Sequence, residues 1–457
     1  METFEVRDYQ KLYGDLSNDH KKAVILQVKR GNTSLAKERK FILKSQLEVN
    51  EVPIFEREFG LLVPFRKEQI EKIKTLNQAS PKYISAVLYA LTAYGRDYDI
   101  RGYITQCLHE ASTEQKKLVS FICLIYNFTQ KSTPIELFTS LLGVDRRSCY
   151  LQDILKESPI LDLLHEEWEG DNNLNIWRPR YDILGERAMK VMLGGGIDSE
   201  QNWKSGLARW LLELIKYIGA AIPYLDEETK QILLTLFITR NGEDEEGGNN
   251  ESFTKAIISL SNTSDGEAIF ESLTKTYPNE EAFHAHYARY LYDERIGIKN
   301  YDKAIKEAKL SLEIQNNSTL IHTLGMCYRK KAENYIRDFE KMGLSIEEAE
   351  EEIQALTDKS VETFVESIEH DGKNIYGYES AMRAILNALD FGFKINEATS
   401  KDDFLNTSKN QWYLEKYDKA QLFLEDALFV IEQSKTLEEK ARLEKSAGYI
   451  YEFENSV

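Results

Sequence analysis

The residue patterns that carry out catalysis in many enzymes are missing from this sequence. It contains no GxxxxGK[ST] phosphate loop, no HExxH zinc motif and no GxSxG nucleophile turn. The three glycines at 194–196 follow a helical pattern without a preceding strand or a nearby lysine, so they predict the end of a helix. We therefore expect no autonomous active site and no cofactor bound by this chain alone.

The histidines and cysteines do not form a metal site either. The seven histidines are dispersed, and His284 and His286 stand two apart on a predicted helix, where they point in different directions. The four cysteines include no CxxC pair, which predicts buried thiols in a reducing, cytoplasmic compartment. His322 is expected to pack within a helical hairpin or to lie at the surface.

Arg30 is one residue whose position could support binding. It ends a short apolar run at 23–28 that predicts a buried parallel strand. Ligands often lie at the ends of such strands, and a guanidinium suits phosphate oxygens, although Arg30 could equally be a solvated basic cap beside Lys29. A single strand needs partners, either residues 41–43 or a sheet outside this chain.

Composition narrows the class of protein. The chain has 457 residues, of which 42% are hydrophobic and 29% charged, as in ordinary globular proteins. The formal net charge of −18 disfavours non-specific binding to nucleic acid or to anionic membranes. With only 8 prolines and 24 glycines, and no apolar run long enough to cross a membrane, the sequence predicts a mainly helical protein.

The pattern of apolar, polar and turn-forming residues along the sequence divides the chain into five segments. Residues 1–60 predict the end of an α/β core, 61–111 a helical segment, and 112–192 a winged-helix-like domain. Residues 193–252 predict a helical linker that ends in the acidic loop 241–250, and 253–457 predict helical repeats. The long apolar stretch 203–236 is expected to form one helix.

The winged-helix-like prediction rests on three helices followed by a hairpin. The helices are expected around 118–126, from 133–138 and from 149–155. The hairpin is expected from 159–164 and 175–179, with a polar loop at 166–173. Since the third helix offers only Arg146 and Arg147 as basic residues, reading of DNA by this domain is disfavoured.

The region after residue 253 contains related phrases. YDKA occurs at 301–304 and again at 417–420, and Ala288 and Gly325 are separated by close to the roughly 34-residue period of tetratricopeptide hairpins. Small residues at such positions let two helices approach closely. The expected packing residues are Ala288, Ala304, Ala308, Gly325, Tyr328 and Ala420. Ser345 and Glu348 predict a capping box that opens an acidic helix through Thr357.

The order of these pieces resembles the carboxy-terminal half of STAND-class signalling NTPases. The phrases that carry the resemblance are VILQVKRG, SAVLYALTAYGRDY, NIWRPRYDILGERAM and IHTLGMCYRK. The branch it resembles contains the sterile-alpha-motif antiviral factors of animals and related bacterial defence proteins. The resemblance implies a mainly α chain that keeps the remnant of a P-loop core.

The resemblance also implies a nucleotide-dependent switch. Arg30 would occupy a sensor position, and Arg180 and Tyr181 would lie where relatives contact nucleotide, although Tyr181 stands where many of them have histidine. ATP or ADP would bind only with a P-loop half, because the Walker motifs are absent from this chain.

Three functions remain open. The first is a non-catalytic sensor and regulatory portion in defence signalling, partnered by a P-loop polypeptide or by further copies of itself. The second is a free-standing repeat adaptor that binds a protein without nucleotide. The third is an enzyme or nucleic-acid binder whose site the sequence conceals.

Overall fold

A computed structural model describes residues 100–109, 111–143, 155, 158–169, 174–196, 201–222, 225–239, 253–371, 375–398, 400–432, 448 and 451. These residues are mainly helical, as predicted. Arg30, the strand at 23–28, the helix start at 149–154 and the acidic loop at 241–250 lie outside them. No helix among the described residues is both long and apolar enough to cross a membrane.

The first part combines helices with a small sheet. Its elements are α1 (Ile100–His109), α2 (Thr113–Thr129), β1 (Thr133–Pro134), α3 (Thr139–Leu142), β2 (Leu164–Glu169), β3 (Leu174–Pro179) and α4 (Asp182–Leu193). The strands are antiparallel in the order β1-β3-β2. Trp177 of β3 is fully buried, and α2, β1 and α4 all contact β3. The central strand therefore anchors the surrounding helices.

Three details of this region differ from the sequence prediction. Thr133 and Pro134 form an edge strand that pairs with β3, where a helix start was expected. Proline is tolerated at a sheet edge, because there its missing N–H need not donate a hydrogen bond to a neighbouring strand. Residues 159–162 form a 3₁₀ turn instead of a strand. The hairpin strands extend through Glu169 and from Leu174, so residues 166–169 of the expected polar loop are paired backbone, and 170–173 lie outside the described residues.

The apolar stretch at 203–236 forms two helices rather than one. These are α5 (Trp203–Ala221) and α6 (Glu227–Phe237). Pro223 in the sequence lacks an N–H and disfavours the helical conformation at Ile222, whose φ is −132°. Asp226 then starts α6, because its carboxylate accepts a hydrogen bond from the Thr229 backbone N–H at 2.7 Å.

Other helix ends agree with the sequence. The helix α4 ends before the three glycines, and Gly195 has a φ of +84°, which only glycine adopts easily. The capping box at Ser345 and Glu348 is present at the start of the acidic helix. That helix continues past Thr357 to residue 370, because Val361 and Phe364 extend its buried face by two more turns.

The remaining helices form a repeat-like array. In order they are α7 (Lys255–Ile258), α8 (Thr263–Thr276), α9 (Glu281–Tyr292), α10 (Tyr301–Ile314), α11 (Ser318–Asp338), α12 (Ile346–His370), α13 (Ile375–Ile395), α14 (Lys401–Leu405) and α15 (Gln411–Glu432). Helices α9/α10, α11/α12 and α13/α15 form three successive hairpins. The first helices of these hairpins contact one another, α9 with α11 and α11 with α13.

Candidate interaction site on the first helices

The first helices of the three hairpins contact one another, and we call the side of α9, α11 and α13 that carries Arg289, Arg329 and Arg383 the first-helix face. On α13 a partly exposed stripe runs through Tyr376, Glu379, Arg383, Asn387 and Asp390, at spacings of three or four residues. These positions stay accessible because the opposite side of α13, including Ala381 and Ile385, is fully buried. The helix therefore presents polar side chains along one side and packs with the other.

Arg329 of α11 lies at the centre of this face. Its side chain is buried, with 7% of the residue exposed, and its Nε is 3.2 Å from Oε1 of Glu333. That contact is an ion pair at short range but is not aligned as a hydrogen bond, so Nε has no hydrogen-bond partner among the described residues. A buried guanidinium whose Nε–H makes an ion pair but no aligned hydrogen bond is uncommon, since buried polar groups are normally hydrogen-bonded.

Two further arginines lie near Arg329. Burial lowers the pKa of the Arg329 guanidinium, Glu333 opposes this, and the like charge of Arg383 on α13 lowers it further. Arg289 of α9 packs over the ring of Phe253, with 5.6 Å between the guanidinium carbon and the ring centroid. Each first helix therefore contributes one arginine to the same region.

His322 packs in the core of the hairpins, where the charges of two of the arginines act on its imidazole. Its Nε2 is 3.1 Å from Oγ of Ser380, and its ring centroid is 5.1 Å from that of Phe364. Burial lowers the pKa of His322 to about 4, and the charges of Arg329 and Arg289 contribute. The imidazole is therefore neutral at neutral pH and adds no charge to the cluster.

Carboxylates balance part of this positive charge. Glu379 lies 3.8 Å from Arg383, while Glu333 accepts a hydrogen bond from Asn387 at 3.1 Å and pairs with Lys330 at 2.5 Å. Glu333 therefore joins the arginine region to the groove between α11 and α13.

A cavity of about 460 Å³ opens in that groove. Its lining combines an apolar set with a polar rim: Ile336, Phe339, Phe391 and Ile395, with Glu333, Asn387, Asp390 and Lys394. The cavity begins one helical turn beyond Arg329 on α11 and beyond Arg383 on α13. Neither arginine is among the described residues that line the cavity, whose charged groups are two carboxylates and one lysine.

A second buried polar pair lies between α9 and α10. His284 Nδ1 is 2.7 Å from Oε2 of Glu307, and its Nε2 is 3.1 Å from the carbonyl oxygen of Pro278. His286 is only partly buried and points elsewhere, as expected from the two-residue spacing. Both ring nitrogens of His284 are therefore used in holding the hairpin together.

The packing residues singled out in the sequence lie at helix contacts. A Cβ added at Gly325 would stand 2.6 Å from Cε1 of Phe364, so α11 and α12 meet closely there. Tyr328 is partly buried. The four alanines of the set are almost completely buried: Ala288, Ala304, Ala308 and Ala420.

The residues expected to contact nucleotide are separate from this face. Arg180 and Tyr181 are exposed between β3 and α4, and the Arg180 backbone N–H donates to the Leu163 carbonyl at 2.9 Å. The structure describes no partner side chain that would form a phosphate site with them. Arg30 lies outside the described residues, so the sequence-based grouping of these three residues stays a prediction.

Sequence reasoning missed the three arginines of the first-helix face. Arg289, Arg329 and Arg383 stand in helices separated by more than thirty residues, and each looks like an ordinary helical arginine. A signal was available for Arg289 and Arg383, which occur within otherwise apolar or aromatic helix stretches, whereas Arg329 precedes Lys330 and Lys331 and gave none. Among the described residues, no group of histidines, cysteines or carboxylates could hold a metal ion.

Comparisons with known proteins do not narrow the class further. The chain matches no protein-family model, and a search of curated proteins found no match.

Proposed function

We propose that this chain acts through protein–protein interaction, with the first-helix face of residues 281–395 as the recognition surface. The observation that carries this proposal is the cavity of about 460 Å³ between α11 and α13, whose lining combines apolar side chains with a polar rim. Stacked helical hairpins commonly present such extended surfaces to a partner.

We propose further that this interaction module is the regulatory and sensor portion of a STAND-type NTPase. The support is the order of sequence phrases together with the β-hairpin between α2 and α4, which is compatible with a winged-helix-like element. Partner binding to the helical array would then favour an open, signalling state over a nucleotide-held closed state. Such a switch requires the partner to bind the two states with different affinity.

A free-standing adaptor is the second candidate. It is favoured by the first-helix face itself, since the arginines and the cavity are supplied by residues 289–395 without any nucleotide-binding part. In that case the partner would be bound equally well with or without ATP.

The two candidates are separated by affinity purification of the tagged full-length chain followed by mass spectrometry. The STAND proposal expects a P-loop polypeptide to co-purify and its retention to change between ADP and ATP. It also expects Arg30→Ala to abolish signalling in the assembled complex while the far-ultraviolet circular dichroism of the chain stays unchanged.

The adaptor proposal expects a protein without a P-loop and no effect of nucleotide. Lys309→Gln, on the exposed side of α10, is the control for charge removal away from the first-helix face. Capture of no protein under any of these conditions would contradict both candidates.

A further inference from the structure

We propose that the exposed side of α15 from Glu415 to Phe429, which we call the α15 stripe, binds a basic amphipathic helix of a partner protein. This inference goes beyond the proposed function, because α15 is the second helix of its hairpin and does not belong to the first-helix face.

The α15 stripe is one continuous side of the helix. Its exposed residues follow one another at spacings of three and four, which place them on the same side of an α-helix: Glu415, Asp418, Leu422, Glu425 and Phe429. The opposite side of α15, including Tyr413, Ala420 and Ala427, is buried in the apolar cluster that it shares with α13. The helix is therefore held by its buried side while the stripe stays accessible.

Large apolar side chains on this part of α15 are exposed to solvent. Leu422 is 59% exposed, Phe429 is 65% exposed, and the neighbouring Leu428 is 47% exposed. No other helix among the described residues has more than one exposed side chain of this kind. Leu422 and Phe429 are seven residues apart, about 10.5 Å along the helix axis, which is the repeat of the seam between two packed helices.

Carboxylates alternate with these apolar side chains along the stripe. Asp418 lies one turn before Leu422, and Glu425 lies between Leu422 and Phe429. Within the described ranges, neither carboxylate takes part in a hydrogen bond or an ion pair. Glu415 accepts a hydrogen bond from Gln411 at 3.0 Å, which leaves its charge in place. The seam therefore consists of apolar and negatively charged positions in alternation.

The lysines of α15 do not balance this negative charge. Lys416 pairs with Asp358 of α12 at 2.5 Å, and Lys419 lies over the ring of Phe423, with 5.7 Å between its Nζ and the ring centroid. These are the only two basic residues of α15, which contains five acidic ones. A partner that covers the apolar side chains of the stripe must bring positive charge, because carboxylates buried without a partner are costly.

Charge also distinguishes a basic partner from other occupants. A second copy of the chain would place one acidic stripe against another, and like charges that face each other across an interface disfavour association. Residues 433–457, most of which lie outside the described residues, contain four basic and five acidic residues, so they do not supply the required positive charge. Nucleic acid and anionic membranes are disfavoured because their charge has the same sign as that of the stripe.

The spacing of the stripe favours a helix over an extended peptide. In an extended strand, side chains on the same side are two residues apart, about 6.6 to 6.8 Å, which does not match the roughly 10.5 Å between Leu422 and Phe429. A second helix repeats every seven residues as the stripe does. The partner should therefore carry large apolar residues seven apart, with lysine or arginine three or four residues from each of them.

The test uses a fluorescein-labelled peptide with three repeats of the heptad Leu-Ala-Ala-Lys-Ala-Lys-Ala. This heptad places leucine at every seventh position and lysine three residues after it. Binding to the full-length chain is measured by fluorescence anisotropy at about 0.15 M salt, where distant exposed charges are largely screened. We expect saturable binding that weakens about tenfold or more when the leucines are replaced by serine or the lysines by glutamate.

Matched variants locate the site on the protein. Phe429→Ser and Glu425→Lys should each weaken binding of the lysine peptide about tenfold. Glu351→Lys, which makes the same change of charge at an exposed position of α12, should leave the affinity unchanged. The glutamate peptide should bind the double variant Asp418→Lys/Glu425→Lys more tightly than it binds the unaltered chain, because the variant restores opposite charges across the seam.

Several results would overturn the proposal. One is the absence of saturable binding, and another is an equal loss of affinity in Glu425→Lys and Glu351→Lys, which would indicate non-specific attraction. If size-exclusion chromatography shows a dimer that Phe429→Ser dissociates, a second copy covers the stripe. If Phe429→Ser lowers the urea midpoint of unfolding, the chain's own residues cover it. Either of these two results would exclude a partner helix at this position.

Discussion

Gly325 provides the sharpest test of how the helical hairpins are packed. The carbonyl oxygen of Gly325 accepts a hydrogen bond from the buried Ser360 hydroxyl at 3.0 Å, so the backbones of α11 and α12 come close at this point. An added Cβ would lie 2.6 Å from Cε1 and 2.8 Å from Cδ1 of Phe364. Ordinary contacts between carbon atoms are about 3.5–4.0 Å, so either the ring or a helix must move by about 1 Å.

The expected stability change follows from two opposing effects. Replacing glycine by alanine inside a helix stabilises by roughly 1 kcal/mol, whereas overpacking a filled core costs about 1–3 kcal/mol. Phe364 is fully buried, so its ring cannot move out into solvent without disturbing its neighbours. Gly325→Ala should therefore change the stability by between about zero and 2 kcal/mol of destabilisation, and the larger Gly325→Leu should fall at the upper end or beyond.

A double-mutant cycle isolates the close approach. In a Phe364→Ala background the clash is removed, so Gly325→Ala should stabilise by roughly 1 kcal/mol. Urea unfolding of the full-length chain, followed by far-ultraviolet circular dichroism, measures all four variants. Thr323→Ala on the same helix is a control that raises helix propensity but also removes the hydrogen bond from the Thr323 hydroxyl to the Thr319 carbonyl oxygen. If Gly325→Ala stabilises equally in both backgrounds, the helices do not meet at Gly325.

Three other features of the structure can be tested directly. His322 should make the protein less stable as the pH falls from 6.5 towards 4, because in this range the imidazole binds a proton in the unfolded chain but not in the folded one. His322→Gln should remove up to about 3 kcal/mol of this pH dependence of the free energy of unfolding. A variant with an unchanged pH profile of unfolding would contradict this prediction. Ser345→Ala should destabilise α12 by about 1 kcal/mol in urea unfolding through loss of the capping box, while Glu351→Gln, exposed on the same helix, should not. Cys123 and Cys327 should resist iodoacetamide in the folded protein, because burial raises the pKa of both thiols, that of Cys123 to about 12; peptide mass spectrometry should show alkylation only after denaturation, and labelling of the native protein would contradict their burial.

Local sequence signals predicted a large part of the helical architecture. The capping box at Ser345 and the glycines after α4 are each determined within a few residues. They were predictable because helix starts, helix ends and amphipathic faces depend on nearby backbone and side-chain chemistry. Burial of Cys107, Cys123 and Cys327 confirms the interpretation of three of the cysteines as buried thiols.

The errors came from non-local or competing effects. The pairing of Thr133 with Trp177 joins residues far apart in sequence, and no local rule distinguishes that two-residue edge strand from a helix start. The break at Ile222 was missed because the apolar periodicity on both sides outweighed the single proline. The arginine cluster was missed because it also depends on non-local packing. Arg289, Arg329 and Arg383 are brought together only by the packing of three helices.

Stability alone does not account for Arg329. Taking a guanidinium out of water costs several kcal/mol, and a well-packed apolar side chain of similar size often serves stability as well or better. Glu333 does not depend on Arg329, since it also accepts hydrogen bonds from Asn387 and Lys330. A buried charge that stability does not favour, one helical turn from the cavity between α11 and α13, is therefore consistent with a role of this region in binding a partner.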